Sequence, residues 1–435
     1  MKKYIFLFLL INCLSFSSTY ALNASYIVVA QDSSGDYVTV QEAIDAAPDF
    51  DTAETVIYIK KGIYKEKILV PDSKTHLTLL GEDVDSTVLT YDDYSGKVVD
   101  GVTLGTSTSY SFQVDADYFK AQYLTFENSA VQEAQAVAVL VNGDKNIFYH
   151  CKLLGNQDTY YTKGYGRIFM KDCYIEGTTD FIFGRAVVVF DSCQIHSKKV
   201  SYITAASTEQ EYSFGYVFFD CLLTAKGNIG NVALGRPWRP YARTVFIHSY
   251  LDKHIAASGW SEWDGNNNHT TCFYAEYDCF GPKADRTYRK AWSHELTPQE
   301  AADYTIPNIF AQITAPLQYN DDWLPVLDSL PYEPYVEFPA QTSIEELKEE
   351  FQLNAFPNPG TDLVIFQFML SQSEQVSLTL LDMGGKLIKE IPQQHMNAGA
   401  QKIAVTVSEL PEGQYFYRLQ IGENILPGAV TVLKP

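Results

Sequence analysis

Residues 150–155 read HCKLLG, 171–177 KDCYIEG, 191–197 DSCQIHS and 219–224 FDCLLT. Each time a cysteine opens a short apolar segment, at Cys151, Cys173, Cys193 and Cys221, with intervals of 22, 20 and 28 residues. LTFENS, beginning at Leu124, extends the column upstream by 27 residues. Self-similarity at such a period marks a solenoid, in which each repeat buries its apolar side only against its neighbours. Around the column lie short β-branched and aromatic runs, among them Val56–Ile59, Leu77–Leu80, Ala136–Leu140, Arg167–Met170, Ala186–Phe190 and Tyr216–Phe219. Gly, Asn and Asp punctuate them, and helical periodicity is nearly absent from this middle region. The period is too long for a hexapeptide-repeat coil and too short for a propeller blade of about 40–45 residues. The expected fold class is all-β, a right-handed parallel β-helix with three short strands per turn. An open coil end needs a cap. Thr39-Val-Gln-Glu42 resembles a capping box ahead of an apolar run that stops at Pro48, which predicts a helix plugging the N-terminal end.

The chain has 435 residues, more than one ordinary domain. Lys2 and Lys3, the apolar run Tyr4–Leu14 and the small-residue site Thr19-Tyr-Ala21 read as an export signal over residues 1–21. The coil is expected over 22–325. Residues 326–352 carry seven acidic groups against Lys348, and three prolines fall within Pro331–Pro339, so this stretch reads as a linker with a short helix at 343–351. Residues 353–435 change rhythm. Leu363–Phe368, Val376–Leu381, Lys402–Val407 and Gln414–Leu419, separated by turns at Asn358-Pro-Gly, Met383-Gly-Gly and Pro411-Glu-Gly, predict a small C-terminal β-sandwich.

A formal charge of −21 disfavours nucleic acid and anionic lipid as partners. No apolar stretch after the N-terminus is long enough to span a membrane. There is no CxxC, so metal binding is not expected, and the common hydrolase signals HExxH, G-x-S-x-G and a phosphate-cradling loop are missing. The cysteine column is expected to be buried thiols; Cys272 and Cys279 are left open as bridged or free. The scattered histidines, His150 and His196 included, are expected to pack or face solvent.

The carboxylates are more telling. Asp158 in GNQDTYY (155–161) and Asp180 in GTTDFIFG (177–184) lie 22 residues apart, about one coil turn. Successive turns stack at ~4.8 Å, so the two should stand one above the other. Gln135 precedes Gln157 by the same 22 residues and adds two stacked amides. Turn preference would explain either aspartate alone; two pairs at one period are harder to assign to turns. Close like charges split their pKa values, leaving one carboxyl as an acid while the other needs a cation. Arg236 in LGRPWRPY (234–241) suits that task, and Trp238 offers a flat face for a sugar ring. Paired carboxylates serve a retaining glycosidase or an ester hydrolase with a carboxylate nucleophile. The glutamines favour the ester, because acyl chemistry builds a negative oxygen that needs donors. A non-catalytic polysaccharide-binding surface protein remains the alternative outside enzymes.

These segments resemble the pectin methylesterase (pectinesterase) family from about Ser25 to Trp323. The matching blocks include GDYVTVQEAIDAAP (35–48), LTFENSA (124–130), QAVAV (135–139), GNQDTYY, GTTDFIFG, YITAAST (202–208), LGRPWRPYARTVF (234–246) and AEYDCFGPKADR (275–286). The resemblance implies hydrolysis of the C6 methyl ester of galacturonosyl units in methyl-esterified homogalacturonan, releasing methanol, with no cofactor. It further implies Asp180 as nucleophile, Asp158 as general acid/base, Gln157 helped by Gln135 as oxyanion donors, and Arg236 as the orienting cation. Trp238 and Phe181 would be sugar-facing aromatics, and Thr106 a substrate contact. Asn156, Thr179 and Ala206-Ser-Thr208 depart from the commoner pattern without removing a catalytic group; the last resembles bacterial members. The tail, with AFPNPGTDLVIFQF (355–368), LLDMGGKLIKE (380–390), LPEGQYFYRLQ (410–420) and VLKP, is similar to the type A sorting domain of the type IX secretion system. That implies a secretion machinery as partner and a secreted or outer-surface location.

Overall fold

A computed structural model describes residues 25–131, 134–311, 321–327, 351–381, 387–422 and 424–434. The expected signal at 1–21 lies outside the described residues, as do most of the expected linker helix at 343–351 and the turn at Met383.

The chain winds into a right-handed parallel β-helix built on three parallel sheets of eleven, eight and seven strands. The sheet that carries the site comprises Ile68–Val70, Phe112–Val114, Val139–Val141, Tyr160–Thr162, Ile182–Gly184, Tyr202–Ala206 and Ala233–Gly235. Its strands are only three to five residues long, because each must turn within one coil rung. The cysteine column is real. Strand pairing sets Leu124, Cys151, Cys173, Cys193, Cys221 and Ser249 in line, and the Tyr250–Phe280 bridge brings Cys279 into the same row. All six described cysteines are free thiols, so Cys279 belongs to the ladder and is not bridged to Cys272. Before each ladder residue from Cys151 to Cys279 stands one with positive φ: His150, Asp172, Ser192, Asp220, His248 and Asp278. Each of these rungs thus makes the same left-handed corner. Inside the coil, Phe190, Phe218 and Phe246 stack at 4.2 Å centroid spacing.

The N-terminal plug forms as the capping signal predicts. Val40–Ala46 is helical, the Thr39 hydroxyl accepts from the Glu42 N–H, and Val40, Ala43 and Ile44 are buried on the coil interior. Two short helices, Pro298–Ala301 and Ile306–Ala311, have no periodic signal in the sequence. Ile309 and Phe310 pack on the outer face of the eleven-stranded sheet against Val187, Val217 and Val245. Buried Arg167 holds this tail, bonding Asp144, Asp321 and the Phe310 carbonyl.

Residues 354–432 form antiparallel sheets of three and four strands. Leu363–Leu370 alternates with Val364, Phe366, Phe368 and Leu370 inward, as expected of a strand buried on one face. These residues share a hydrophobic core of their own with Val376, Leu378, Leu419 and Val430.

Candidate active site

Asp158 and Asp180 sit just before Tyr160–Thr162 and Ile182–Gly184, which pair with Tyr160 opposite Ile182. One rung therefore separates the two aspartates, as the 22-residue period predicts. Gln135 and Gln157 are bridged across adjacent rungs. Asp158 and Asp180 adopt the left-handed region, with φ of 67° and 48°. Asp tolerates this conformation better than most side chains, though it remains costly. The turns are held by backbone bonds from Asp158 N–H to the Thr179 carbonyl (3.1 Å) and from Asp180 N–H to the Tyr202 carbonyl (2.8 Å).

Arg236 follows Ala233–Gly235 and forks onto Asp180, with Nε to Oδ1 at 3.0 Å and Nη2 to Oδ2 at 2.7 Å. Both aspartates are buried, with 4% and 6% of their surface exposed. Burial pushes the Asp158 carboxyl well above the usual range, and the neighbouring Asp180 charge adds to the rise; a hydrogen bond with Gln157 and the Arg236 charge oppose it. Burial also raises Asp180, but the Arg236 hydrogen bonds and charge pull it back. Asp180 is therefore the first of the two to ionise, the order that a carboxylate paired with a carboxylic acid requires.

A stability consequence follows from the sign of the Asp158 shift. A carboxyl whose pKa is raised on folding holds its proton longer in the native state, so its stabilising contribution is complete below the unfolded value and is lost as pH rises through the folded one. Asp158→Asn is thus expected to raise Tm relative to wild type at pH 7 by a few degrees and much less at pH 4, each displaced pKa unit being worth ~1.4 kcal/mol. Equal Tm differences at the two pH values would contradict a buried, proton-holding Asp158.

The other expected residues divide. Thr106 opens a short 3₁₀ turn and donates to Gln135 Oε1 at 2.9 Å, leaving the Gln135 amide nitrogen as the group free to donate. Trp238 lies partly exposed beside the site, its loop pinned by Asn268 Nδ2 to the Pro237 and Trp238 carbonyls at 3.0 and 3.1 Å. Phe181 is a correction. It is fully buried in the coil interior and cannot face a sugar. The left-handed Asp180 turns its carboxyl outward and sends the next side chain inward against Gly177, where a Cβ would collide with Phe181.

The aromatic wall is made instead by Tyr161 and Phe183, stacked at 4.2 Å, with Trp238 edge-on to both at 6.5 and 5.9 Å. Each of the stacked rings stands three residues after its aspartate, so the 22-residue period could have found them. Tyr202 and Trp263 also enter the site, against Arg236, and no spacing pointed to Trp263. His150 stacks on Tyr123, and His196 Nδ1 lies 2.9 Å from Thr224 Oγ1; both belong to the wall of the coil.

The pectinesterase family profile matches residues 26–312, and the profile described as a secretion system C-terminal sorting domain matches 354–427. Pectinesterase 31 of Arabidopsis thaliana is 42% identical over 284 residues, covering 63% of this chain and 89% of its own length. Pectin methylesterase from carrot aligns with a TM-score of 0.62 at 35% identity, over 68% of this chain and 95% of that one. PemA from Erwinia chrysanthemi, also a pectin methylesterase, aligns at 0.58 and 28% identity, over 67% and 97%. With a coil of matching architecture and a family match over most of its length, the chain belongs to the pectinesterase family.

Proposed function

We propose that Asp180 is the nucleophile and Asp158 the general acid and base of this pectinesterase, which hydrolyses the C6 methyl ester of galacturonosyl units in pectin and releases methanol. The observation that carries the assignment is the Arg236 fork on Asp180, one rung from a carboxyl that keeps its proton. An Asp180 oxygen attacks the ester carbon, and the carbonyl electron pair moves onto oxygen, where the Gln157 and Gln135 amides donate to it. The carbon–methoxy bond breaks as methoxide takes the Asp158 proton. Water then attacks the acyl–Asp180 intermediate, gives its proton to the Asp158 carboxylate, and Asp180 leaves as a carboxylate. Arg236 orients Asp180 throughout, and Trp238 with Tyr161 and Phe183 forms the apolar wall for sugar rings and methyl groups. Methanol release from methyl-esterified homogalacturonan tests the reading. New reducing ends without methanol would indicate a glycosidase, and neither product a binding protein.

We assign residues 1–21 to an export signal, 22–325 to the catalytic coil, 326–352 to a linker and 353–435 to the sorting domain. Support comes from two hydrophobic cores, one within the coil and one within the tail. A sorting domain implies secretion or surface export, and no helix among the described residues is long and apolar enough to cross a membrane. The acidic coil, with 24 basic and 39 acidic residues, suits a sugar chain that is neutral when esterified rather than nucleic acid. Deleting 353–435 is expected to leave methanol release intact but keep the enzyme in the periplasm, because each part buries its own core. The truncated enzyme appearing outside the cell at the normal level would rule out the sorting role.

A further inference from the structure

Arg236 has more than Asp180 around it. Its guanidinium carbon lies 3.9 Å from the Tyr202 ring centroid and 4.1 Å from that of Trp263. Two aromatic rings thus crowd one guanidinium whose Nε and Nη2 are spent on the Asp180 fork. Ring contacts draw on the cation's charge and the fork on its N–H groups, so the two demands do not compete. We propose that Tyr202 and Trp263 are positioning residues of the reaction, clamping Arg236 so that its fork stays in the plane of the Asp180 carboxylate. The proposal rests on the nucleophile role assigned to Asp180 above.

Both jaws are mounted on rigid backbone. Tyr202 begins a strand of the site sheet, and its carbonyl accepts the Asp180 N–H, so one residue fixes both the nucleophile's turn and one face of its cation. Trp263 arrives on a segment laid alongside Ala233–Gly235, with Leu234 N–H to the Gly259 carbonyl at 2.7 Å and Ser261 N–H to the Gly235 carbonyl at 3.0 Å. That segment is anchored by Trp260, which is fully buried and donates from Nε1 to Glu276 Oε1 at 3.1 Å. Glu276 is itself held by Arg286 and Arg289. Gly235, beside Arg236, leaves no room for a side chain, since a Cβ there would collide with Thr204 Oγ1. The charged and titratable groups acting on the Arg236 guanidinium are Asp180, the Tyr202 hydroxyl and Asp264, while Asp158, on the rung before Asp180, also feels its charge.

A loosened clamp would weaken the restraint that Arg236 places on Asp180, whose carboxyl burial already pushes upward. Asp180 must be ionised to attack, so the acid limb of the kcat/KM profile should then move to higher pH. Tyr202 and Trp263 are only partly buried, so replacing them does not open the core. In the full chain, Trp263→Leu and Tyr202→Leu are expected to lower kcat for methanol release by about tenfold to 10²-fold and to move the acid limb upward. Trp263→Phe and Tyr202→Phe, which keep a ring, should restore the limb. Combined with Arg236→Lys, Trp263→Leu should add little, because both changes act through one guanidinium. An unmoved acid limb in both leucine variants overturns the clamp, and a raised KM with an unmoved limb would make Trp263 a sugar contact instead. If Trp263→Leu does not fold, Trp263→Met gives the same readout. Should Asp180→Asn stay active, the nucleophile assignment fails; if Asp180→Asn is inactive and the limbs do not move, only the clamp fails.

Discussion

Asp180→Asn is expected to fold and to lose methanol release by about 10²-fold or more, in kcat and kcat/KM alike, as for removal of a covalent nucleophile. Asparagine keeps the shape that fits the left-handed turn at φ 48°, a conformation asparagine also tolerates. What it lacks is the charge that attacks the ester and the second acceptor of the Arg236 fork. One amide oxygen still faces the guanidinium, so the cation stays solvated by the site and the fold is not left with a bare buried charge. Circular dichroism should match wild type while methanol release is lost. Near-wild-type turnover by the folded variant would remove Asp180 from the reaction and leave the carboxyl pair a structural feature of the coil.

Gln157→Ala should act on kcat far more than on KM. The ground-state ester carbonyl is a weak acceptor, and the demand for a donor appears when its oxygen becomes an anion. Loss of one such donor costs about 10²-fold to 10³-fold in kcat. Gln135 limits the damage, because its carbonyl is engaged by Thr106 and its amide nitrogen remains free to donate. The loss should therefore fall near 10², the lower end of that range, and Thr106→Val, which frees the Gln135 amide to rotate, should deepen it in the Gln157→Ala background. A rise in KM alone would show that Gln157 binds substrate without stabilising the oxyanion. The same change removes a hydrogen bond that holds Asp158 down, so the basic limb of the profile should shift to higher pH.

The coil, its N-terminal plug and the stacking of Asp158 under Asp180 were legible because a parallel solenoid converts sequence spacing directly into spatial neighbours. Pairing Tyr160 with Ile182 and Gln135 with Gln157 requires only the 22-residue repeat. Phe181, placed on the sugar face only by the family resemblance, is turned inward by the local backbone. Asp180 is in the left-handed region, and the alternation restarts after it. Phe181 consequently fills the interior, and Phe183 faces the site. Cys279 joins the ladder because the next residue, Phe280, pairs with Tyr250, whereas Cys272 precedes a strand of the eleven-stranded sheet, Phe273–Tyr277.

What the sequence by itself determined is whatever repeats: the coil, its rung length, the two carboxylates, the two amides and the separate rhythm of the tail. Only the tertiary structure decided what arrives without a period. Trp263 reaches Arg236 from a non-repeating segment, and Arg167 ties Phe310 and Asp321 onto the outer sheet. The physical reason is that a repeat specifies contacts between equal positions on neighbouring turns. A contact between unlike segments depends on where a loop lands and on which buried group, here Glu276 or Arg167, holds it there.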